Sequence, residues 1–328
     1  MKKSTIVALT GLALGASTTA FAGSVKTGVD ADITLSGGAT AGYFYGANTG
    51  STNNDNFAVN DFLLNFASED AKVGGVSFVA GFGNLAQVTI LDPSAANAIG
   101  ESSLQYASLT YVPVKNLSIE AGALATNVGA ELATSYDNGN ITLGALWNAQ
   151  PLFYPGARAS YAIGDMTVYG EVSSPKAYGA GVSGSAGGFD YALNYFKTDG
   201  GNTLYDVVLT GSAAGMDVGL NFDFQQLDSK ATNQKDDTGM GIGVYVTPSF
   251  GKIDIPVRVE YISDGDSGIY GFDSGYTLAI TPTVKVSKNA FVRVELSMVS
   301  STTKQFKDKD GKATGENTGA AFQMGYLF

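Results

Sequence analysis

The sequence predicts an all-β fold: a transmembrane antiparallel β-barrel of about 16 strands, with one long loop folded into the lumen. Three observations predict it. Apolar and polar residues alternate with period two along the whole chain. No stretch after the N-terminus approaches the ~18 continuous apolar residues of a membrane-crossing helix. The connections between the alternating runs are short and long by turns, as in barrels whose two rims face different compartments.

The N-terminus reads as a secretory signal peptide over residues 1–22. Lys2 and Lys3 give the positive region, Thr5 to Gly15 the short apolar region, and Ala20-Phe21-Ala22 the cleavage site. Thr18 and Thr19 interrupt the apolar run before an anchor helix could form. Residues 23–328 are then one barrel domain. The 43 glycines and the 35 Tyr and Phe residues (17 and 18) suit a barrel with many turns and aromatic girdles. With no cysteine there is no disulfide scaffold, so an exported chain must be held by its hydrogen-bond ladder. The net charge of −11 becomes −13 without Lys2 and Lys3. That speaks against nucleic acid as a partner, which requires a basic face.

The elements follow in order. Val29, Ala31, Ile33 and Leu35 alternate with Asp30, Asp32, Thr34 and Ser36. The phase continues through Ala39, Ala41, Tyr43 and Tyr45, predicting one strand over Val29–Tyr45 bent at Gly37-Gly38. Phe62, Leu64 and Phe66 form the next apolar row. Met216 to Phe224, Ile253 to Tyr261 and Val292 to Met298 alternate in the same way. The runs are about 10 residues long, near the ~9–11 of a tilted spanning strand and beyond the ~5–6 of soluble strands. Short connections fall near Asp70–Gly74, Pro113–Asn116, Ile163–Asp165, Ala186–Gly188, Ala213–Gly215, Phe250–Lys252 and Ser287–Asn289. Long polar ones fall near Ala47–Asn56, Asn84–Ser102, Lys197–Asn202, Gln226–Gly239, Ser263–Ser274 and Ser301–Thr318. With the C-terminus in the periplasm, every short turn lands on that side. The exception is Asn127–Tyr154: counting Ile141–Trp147 as a wall strand breaks the parity, so this segment is read as one long external loop turned inward. The count is then about 16, with 14 and 18 as alternatives. The last strand alternates Phe322, Met324, Tyr326 and Phe328 with Gln323, Gly325 and Leu327. An amphipathic strand ending in Phe, with Tyr326 two places before Phe328, resembles the assembly signal of bacterial outer-membrane proteins. It implies outer-membrane lipids and the barrel-assembly machinery as partners.

Ser103–Tyr161 resembles the OmpL-like β-barrel porin family (porin-2 type). The likeness lies in LQYASLTYVPVKNLSIEAGALATNVGAE and QPLFYPGARASY, departing at Ala123-Leu124-Ala125, where a more polar element is usual. The resemblance implies passive, porin-like transport with no catalytic residues, in the cell outer membrane of a Gram-negative bacterium.

The chemistry available is narrow. With no histidine and no cysteine, imidazole and thiol catalysis are excluded and no enzyme is expected. No cofactor is expected, and any metal site would be all-oxygen. In Lys304–Asn317 an EF-hand frame fails, because Phe306 would occupy position 1 and Asn317 position 12. Gly179-Ala180-Gly181-Val182-Ser183-Gly184 fits a dinucleotide fingerprint only in spelling, since no helix follows.

If apolar residues face lipid, their alternating partners face the lumen. The pore-lining candidates are Asp61, Glu120, Arg158, Glu171, Asp206, Asp217, Asp223, Asp254, Arg258, Glu260, Arg293 and Glu295, with Asp30, Asp32 and Lys285 on the same face. Their acidic balance suits a cation-preferring passage for ions and small hydrophilic solutes. The repeated Val-Arg-Val-Glu at Val257–Glu260 and Val292–Glu295 sets up either a transverse field or self-satisfying ion pairs. The constriction candidates are Glu131, Asp137 and Trp147, with Glu131 opposite Arg158 as a charged eyelet and Trp147 as a stacking platform or plain packing. Two other functions stay open: a substrate-preferring channel, and a structural or adhesive protein with a closed lumen. A homotrimer is also open.

Overall fold

A computed structural model of the chain describes residues 23–26, 32–49, 54–95, 102–174, 176–199, 201–227, 238–264 and 268–328. The predicted signal peptide and Asp30 lie outside them.

Sixteen antiparallel strands form the wall. They are β1 (Asp32–Gly46), β2 (Asp55–Ser68), β3 (Val76–Leu85), β4 (Ser103–Val114), β5 (Leu117–Ala125), β6 (Phe153–Ile163), β7 (Met166–Ser173) and β8 (Ala177–Ala186). Then come β9 (Phe189–Thr198), β10 (Thr203–Ala213), β11 (Met216–Gln226), β12 (Thr238–Thr247, continued by Ser249–Phe250), β13 (Ile253–Asp254 and Val257–Ser263), β14 (Ser274–Ile280 and Thr283–Lys285), β15 (Ala290–Ser301) and β16 (Glu316–Leu327). Each pairs with its neighbours in sequence, and β16 closes onto β1 from Gly38↔Leu327 to Gly46↔Gly319. Closure leaves no edge, which a lipid-facing sheet requires. A short strand, Gly23–Lys26, pairs with the start of β1.

The alternation sorts the two faces. Val172, Leu296, Leu104 and Leu109 are among the large apolar side chains exposed outside, while Asp61, Asp206, Asp223, Arg258 and Glu295 are buried inside. Aromatic rings cluster at the long-loop rim, where Tyr178, Tyr195, Tyr205 and Phe224 touch in sequence across β8–β11. This is the geometry of an interfacial girdle.

Three local features bend the ladder. On β2, Asn60 is an extra residue between Val59, opposite Ala41, and Asp61, opposite Thr40. This bulge turns both Asn60 and Asp61 inward and shifts the phase of the strand, so Phe57 and Val59 face out before it and Phe62 and Leu64 after it. Pro248, Pro256 and Pro282 interrupt β12, β13 and β14 near the short-turn rim, since proline has no N–H for the ladder. Their carbonyls still accept, from Ile255, Thr281 and Val294 at 2.9, 2.9 and 3.1 Å. At the seam, Gly42 lies so close to β16 that a Cβ there would stand 2.1 Å from the Phe322 carbonyl oxygen.

The described part of the first wall strand runs from Asp32, whose side chain is exposed, and residues 27–31 of the expected strand lie outside the described residues. The sequence expectations meet two differences. The connection from β7 to β8, on the long-loop rim, is only three residues long, 174–176. Asn84–Ser102 is not simply a polar outer loop: Val88 and Ile90 are buried, and Ile90 N–H donates to Leu143 while Leu143 N–H donates to Val88.

Candidate functional site: the inner face of the barrel

Segment 126–152 leaves β5, runs through short 3-10 turns at Ser135–Asp137 and Leu146–Ala149, and rejoins the wall at β6. It has almost no regular structure, so its backbone N–H groups need partners from elsewhere. Carboxylates and amides of the inner face supply them. Asp61 accepts from the Ser135 N–H at 3.0 Å and from its hydroxyl. Glu295 accepts from the Ile141 N–H at 2.5 Å and the Thr142 N–H at 3.2 Å. Glu260 accepts from the Ala145 and Leu146 N–H groups at 2.9 and 3.1 Å. Asp206 accepts from Gly129 N–H at 3.2 Å, and Asn221 from Ala130 N–H at 3.3 Å.

The arginines serve the segment's carbonyls. Arg258 pairs with Glu131, donates to the Thr142 carbonyl at 2.6 Å, and lies 3.7 Å from Glu260. Arg293 donates to the carbonyls of Asn138 and Ser135 at 3.0 and 2.8 Å and to Gln323 at 2.8 and 2.6 Å. The Val-Arg-Val-Glu repeats therefore hold backbone, and the first also brings its own Arg258 and Glu260 to 3.7 Å. A buried charge in such a place is tolerable only because it is paired or hydrogen-bonded.

Three further groups complete the inner face. Arg158 donates to Glu171 at 2.7 Å and to the Ala125 carbonyl at 2.8 Å, with Glu120 at 3.4 Å. Tyr154 donates to Glu171 at 2.8 Å. Asp206 and Asp223 stand directly opposite on β10 and β11, held by amide donors: Asn194 and Asn221 to Asp206 at 2.7 and 2.5 Å, and Gln150 to Asp223 at 2.8 Å. Near the short-turn rim, Lys285 pairs with Asp254 at 2.6 Å.

Two of the sequence expectations change here. Glu131 does not face Arg158: it pairs with Arg258 on β13, and Arg158 is taken by Glu171 and Glu120. An ion pair reaching 127 positions along the chain has no local signature. Most of the predicted pore-lining charges also lack solvent. Asp61, Asp206, Asp223, Arg258, Glu260, Arg293 and Glu295 are all buried, and Trp147 is only 8 % exposed. Asp217 is exposed near the short-turn rim, Glu120 is partly exposed, and of the constriction candidates Asp137 alone is exposed, accepting from the Thr134 hydroxyl.

The sequence reading missed an apolar filling. Ile90, Leu146, Ile262, Tyr270, Phe272, Ala279 and Val299 pack together, and Phe44, Ala58, Val88, Ile141 and Ala321 form a second group. Phe44, Ile262, Ala279, Val299 and Ala321 sit on the inner face of wall strands. Their signal is present as broken alternation: Tyr43-Phe44-Tyr45, Tyr261-Ile262 and Met298-Val299 put apolar residues on both faces. Tyr270 belongs to the connection 264–273, where Asp264 accepts its N–H at 2.9 Å. Burial pushes the Asp264 carboxyl up to about 6, and the nearby Asp273 charge adds to the rise. Among the described residues no group of three acidic side chains is placed to hold a metal, and Gly179–Gly184 lies within β8, paired antiparallel to β7 and β9.

A closed 16-strand barrel with an apolar outside and a charged inside is the architecture of an outer-membrane porin. The chain belongs to the family described as "Putative beta-barrel porin-2, OmpL-like", which it matches over residues 21–328. It is an outer-membrane protein of that porin family. No curated protein matches it. Among solved structures it resembles the outer membrane channel DcaP of Acinetobacter baumannii (TM-score 0.63, 13 % identity, 93 % of this chain and 99 % of that one). It also resembles OmpT of Vibrio cholerae in a trimer form (0.60, 11 %, 90 % and 99 %). A triple mutant of the Rhodopseudomonas blastica porin is similar too (0.55, 15 %, 90 % and 100 %). At these identities the likeness is one of fold.

Proposed function

We propose that the protein is a diffusion channel for ions and small hydrophilic solutes that favours cations, narrowed by segment 126–152 folded into its lumen. One observation carries the cation preference. The arginines of the inner face, Arg158, Arg258 and Arg293, are buried and turned to carboxylates, carbonyls or Gln323, and Lys285 is paired with Asp254. The charges of that face that keep contact with solvent are largely acidic: Glu120 in part, with Asp137, Asp190 and Asp217. A passing ion therefore meets a negative field.

The space for passage lies beside the segment. Its hydrogen bonds fall on β2, β9–β11, β13, Thr281 in the break of β14, β15 and β16. The inner face of β4–β8 carries small hydroxyl side chains, among them Ser108, Thr110, Ser118, Ser160 and Thr167, beside the cluster of Glu120, Tyr154, Arg158 and Glu171, and meets the segment through Val128, which packs on Leu124, Tyr154 and Ala177. A homotrimer fits the family's fold relatives, one of which is described as a trimer.

The test is the reversal potential of single channels in a potassium chloride gradient. The wild type should favour potassium, and Asp137→Asn combined with Glu120→Gln should move the potential toward zero. An unchanged potential in that double variant would remove the acidic lining as the cause. The apolar filling around Ile90 and Leu146 favours a second reading, a structural barrel with a closed lumen. A folded protein that passes no current would establish it.

A further inference from the structure

Near the short-turn rim, segment 126–152 does not close completely on the wall. A recess of about 380 Å³, its open mouth included, lies between residues 130–131 and 138–140 of the segment and the inner face of β11, β12 and β13. That is the lower end of the ~300–1,000 Å³ of small-molecule pockets. The wall side of the recess follows from strand register. Asp217 on β11 stands directly opposite Thr247 on β12, and Tyr245 is two residues away on the same face of β12. Directly opposite side chains lie about 5 Å apart at Cβ, so a carboxylate and a hydroxyl meet beside the phenol ring. Pro256, in the break of β13, is where the segment rests: a Cβ on Gly139 would stand 2.9 Å from the Pro256 Cβ.

Among the described residues that line the recess, two are charged, Glu131 and Asp217, and both are acidic. Glu131 is neutralised by Arg258. Asp217 is exposed, and one of its oxygens accepts from the Ser212 hydroxyl at 3.0 Å; the other accepts from no described residue. Of the lysines at this rim, Lys285 is held by Asp254, and Lys252 is exposed on the turn from β12 to β13. The recess therefore carries one uncompensated negative charge. Its neutral polar groups also have room for a ligand. The buried Asn140 amide donates to the Thr281 hydroxyl at 2.7 Å, while its carbonyl oxygen accepts from no described residue. Tyr245 is only 9 % exposed, and its hydroxyl has no hydrogen-bond partner among the described residues. A buried polar group without a protein partner is costly unless something in the adjoining space satisfies it. The rest of the lining is apolar: Ala130, Pro256, Val257 and the Tyr245 ring.

One free carboxylate, several neutral acceptors and apolar carbon together suit a primary ammonium group on a short alkyl chain. Its three N–H donors need acceptors in different directions, and its charge favours the carboxylate. Its carbons lose water against proline and the phenol ring. An anion would meet two carboxylates, and a quaternary ammonium ion has no N–H to donate. We propose that the recess binds small primary-amine solutes at the short-turn mouth of the barrel, with Asp217 as the charged anchor, Thr247 and Asn140 as acceptors and Tyr245 as the wall. This rests on the reading of the inner face as cation-favouring and names the solutes that pause there.

The test is binding of propylammonium to the refolded, detergent-solubilised protein, followed by saturation-transfer NMR, with 1-propanol as the uncharged control. The site predicts a saturable propylammonium signal that 1-propanol does not give, and that ammonium chloride displaces better than sodium chloride at equal concentration. Asp217→Asn should weaken the affinity about tenfold and Thr247→Val several-fold, as the loss of one charged and one neutral hydrogen bond, with each variant first shown to run as a folded, heat-modifiable barrel. No saturable signal, a signal shared by 1-propanol, equal displacement by both salts, or an affinity unchanged in both variants would overturn the site. Single-channel recording judges the channel separately. A wild type that conducts but binds no propylammonium refutes the site alone, and one that binds propylammonium but passes no current refutes the channel alone.

Discussion

Arg258 shows what a charge requires inside this wall. It is fully buried, pairs with Glu131, approaches Glu260 and donates to the Thr142 carbonyl. Removing it strands two buried carboxylates, whose uncompensated charge costs about 3–5 kcal/mol. Arg258→Met should lower the unfolding free energy in urea by roughly that amount, and adding Glu131→Gln should recover part of it, since one orphaned charge goes with it. A single variant as stable as the wild type would contradict this. Alternation alone puts Arg258, Glu260, Arg293 and Glu295 on the inner face, so which face each charge occupies was legible. What each one touches was not. Period two specifies a side of the sheet, whereas Glu131 meets Arg258 only because the irregular segment 126–152 hydrogen-bonds to side chains of strands distant in sequence, and no spacing encodes those contacts.

Strands, turns and irregular segments were legible to different degrees. The strands could be read because each must present an unbroken apolar face to lipid, and the turns because glycine marks them. The bulge at Asn60–Asp61 could not be placed: it inserts one residue, and Phe57 and Val59 then look out of phase with Phe62 and Leu64 unless the shift is allowed for. The segment through Val88 and Ile90 was missed because its apolar residues are few and lack any period.

The connection 264–273 carries a pH prediction. The folded state raises the Asp264 carboxyl to about 6, above the ~3.9 of a free aspartate. The folded loop thus binds the proton more tightly than the unfolded one. The stability this contributes is present at low pH and is lost as the pH rises through about 4 to 6. Exchange protection of the Tyr270 amide, corrected for intrinsic rate, should therefore be greater at pH 5 than at pH 7, and Asp264→Asn should remove the difference. Protection that instead rises with pH would show that the carboxylate form is the one the loop prefers.

At the scale of the whole molecule the barrel depends on its seam. Phe328 exchanges two backbone hydrogen bonds with Gly37, at 2.8 and 3.0 Å, beyond the last pair of β16, while Tyr326 is exposed on the outer surface. If Tyr326 and Phe328 are read by the assembly machinery, deleting Phe328 should sharply reduce the amount inserted in cells while urea-unfolded protein still refolds into detergent micelles. Equal loss in both settings would mean that the residue matters only for closing the seam. Closure itself follows from physics that the sequence displays openly: period-two alternation, no apolar run after the N-terminus that nears the length of a spanning helix, and no cysteine. The degree to which the inside is filled depends on irregular segments, and it is this that decides whether the barrel conducts.

Single-channel recording of the refolded protein in a planar bilayer, with a potassium chloride gradient across it, tests the central claim most directly. A cation-favouring pore gives steady, ohmic steps with a reversal potential on the potassium-selective side. A correctly folded, heat-modifiable barrel that passes no current, or one that favours chloride, would contradict it.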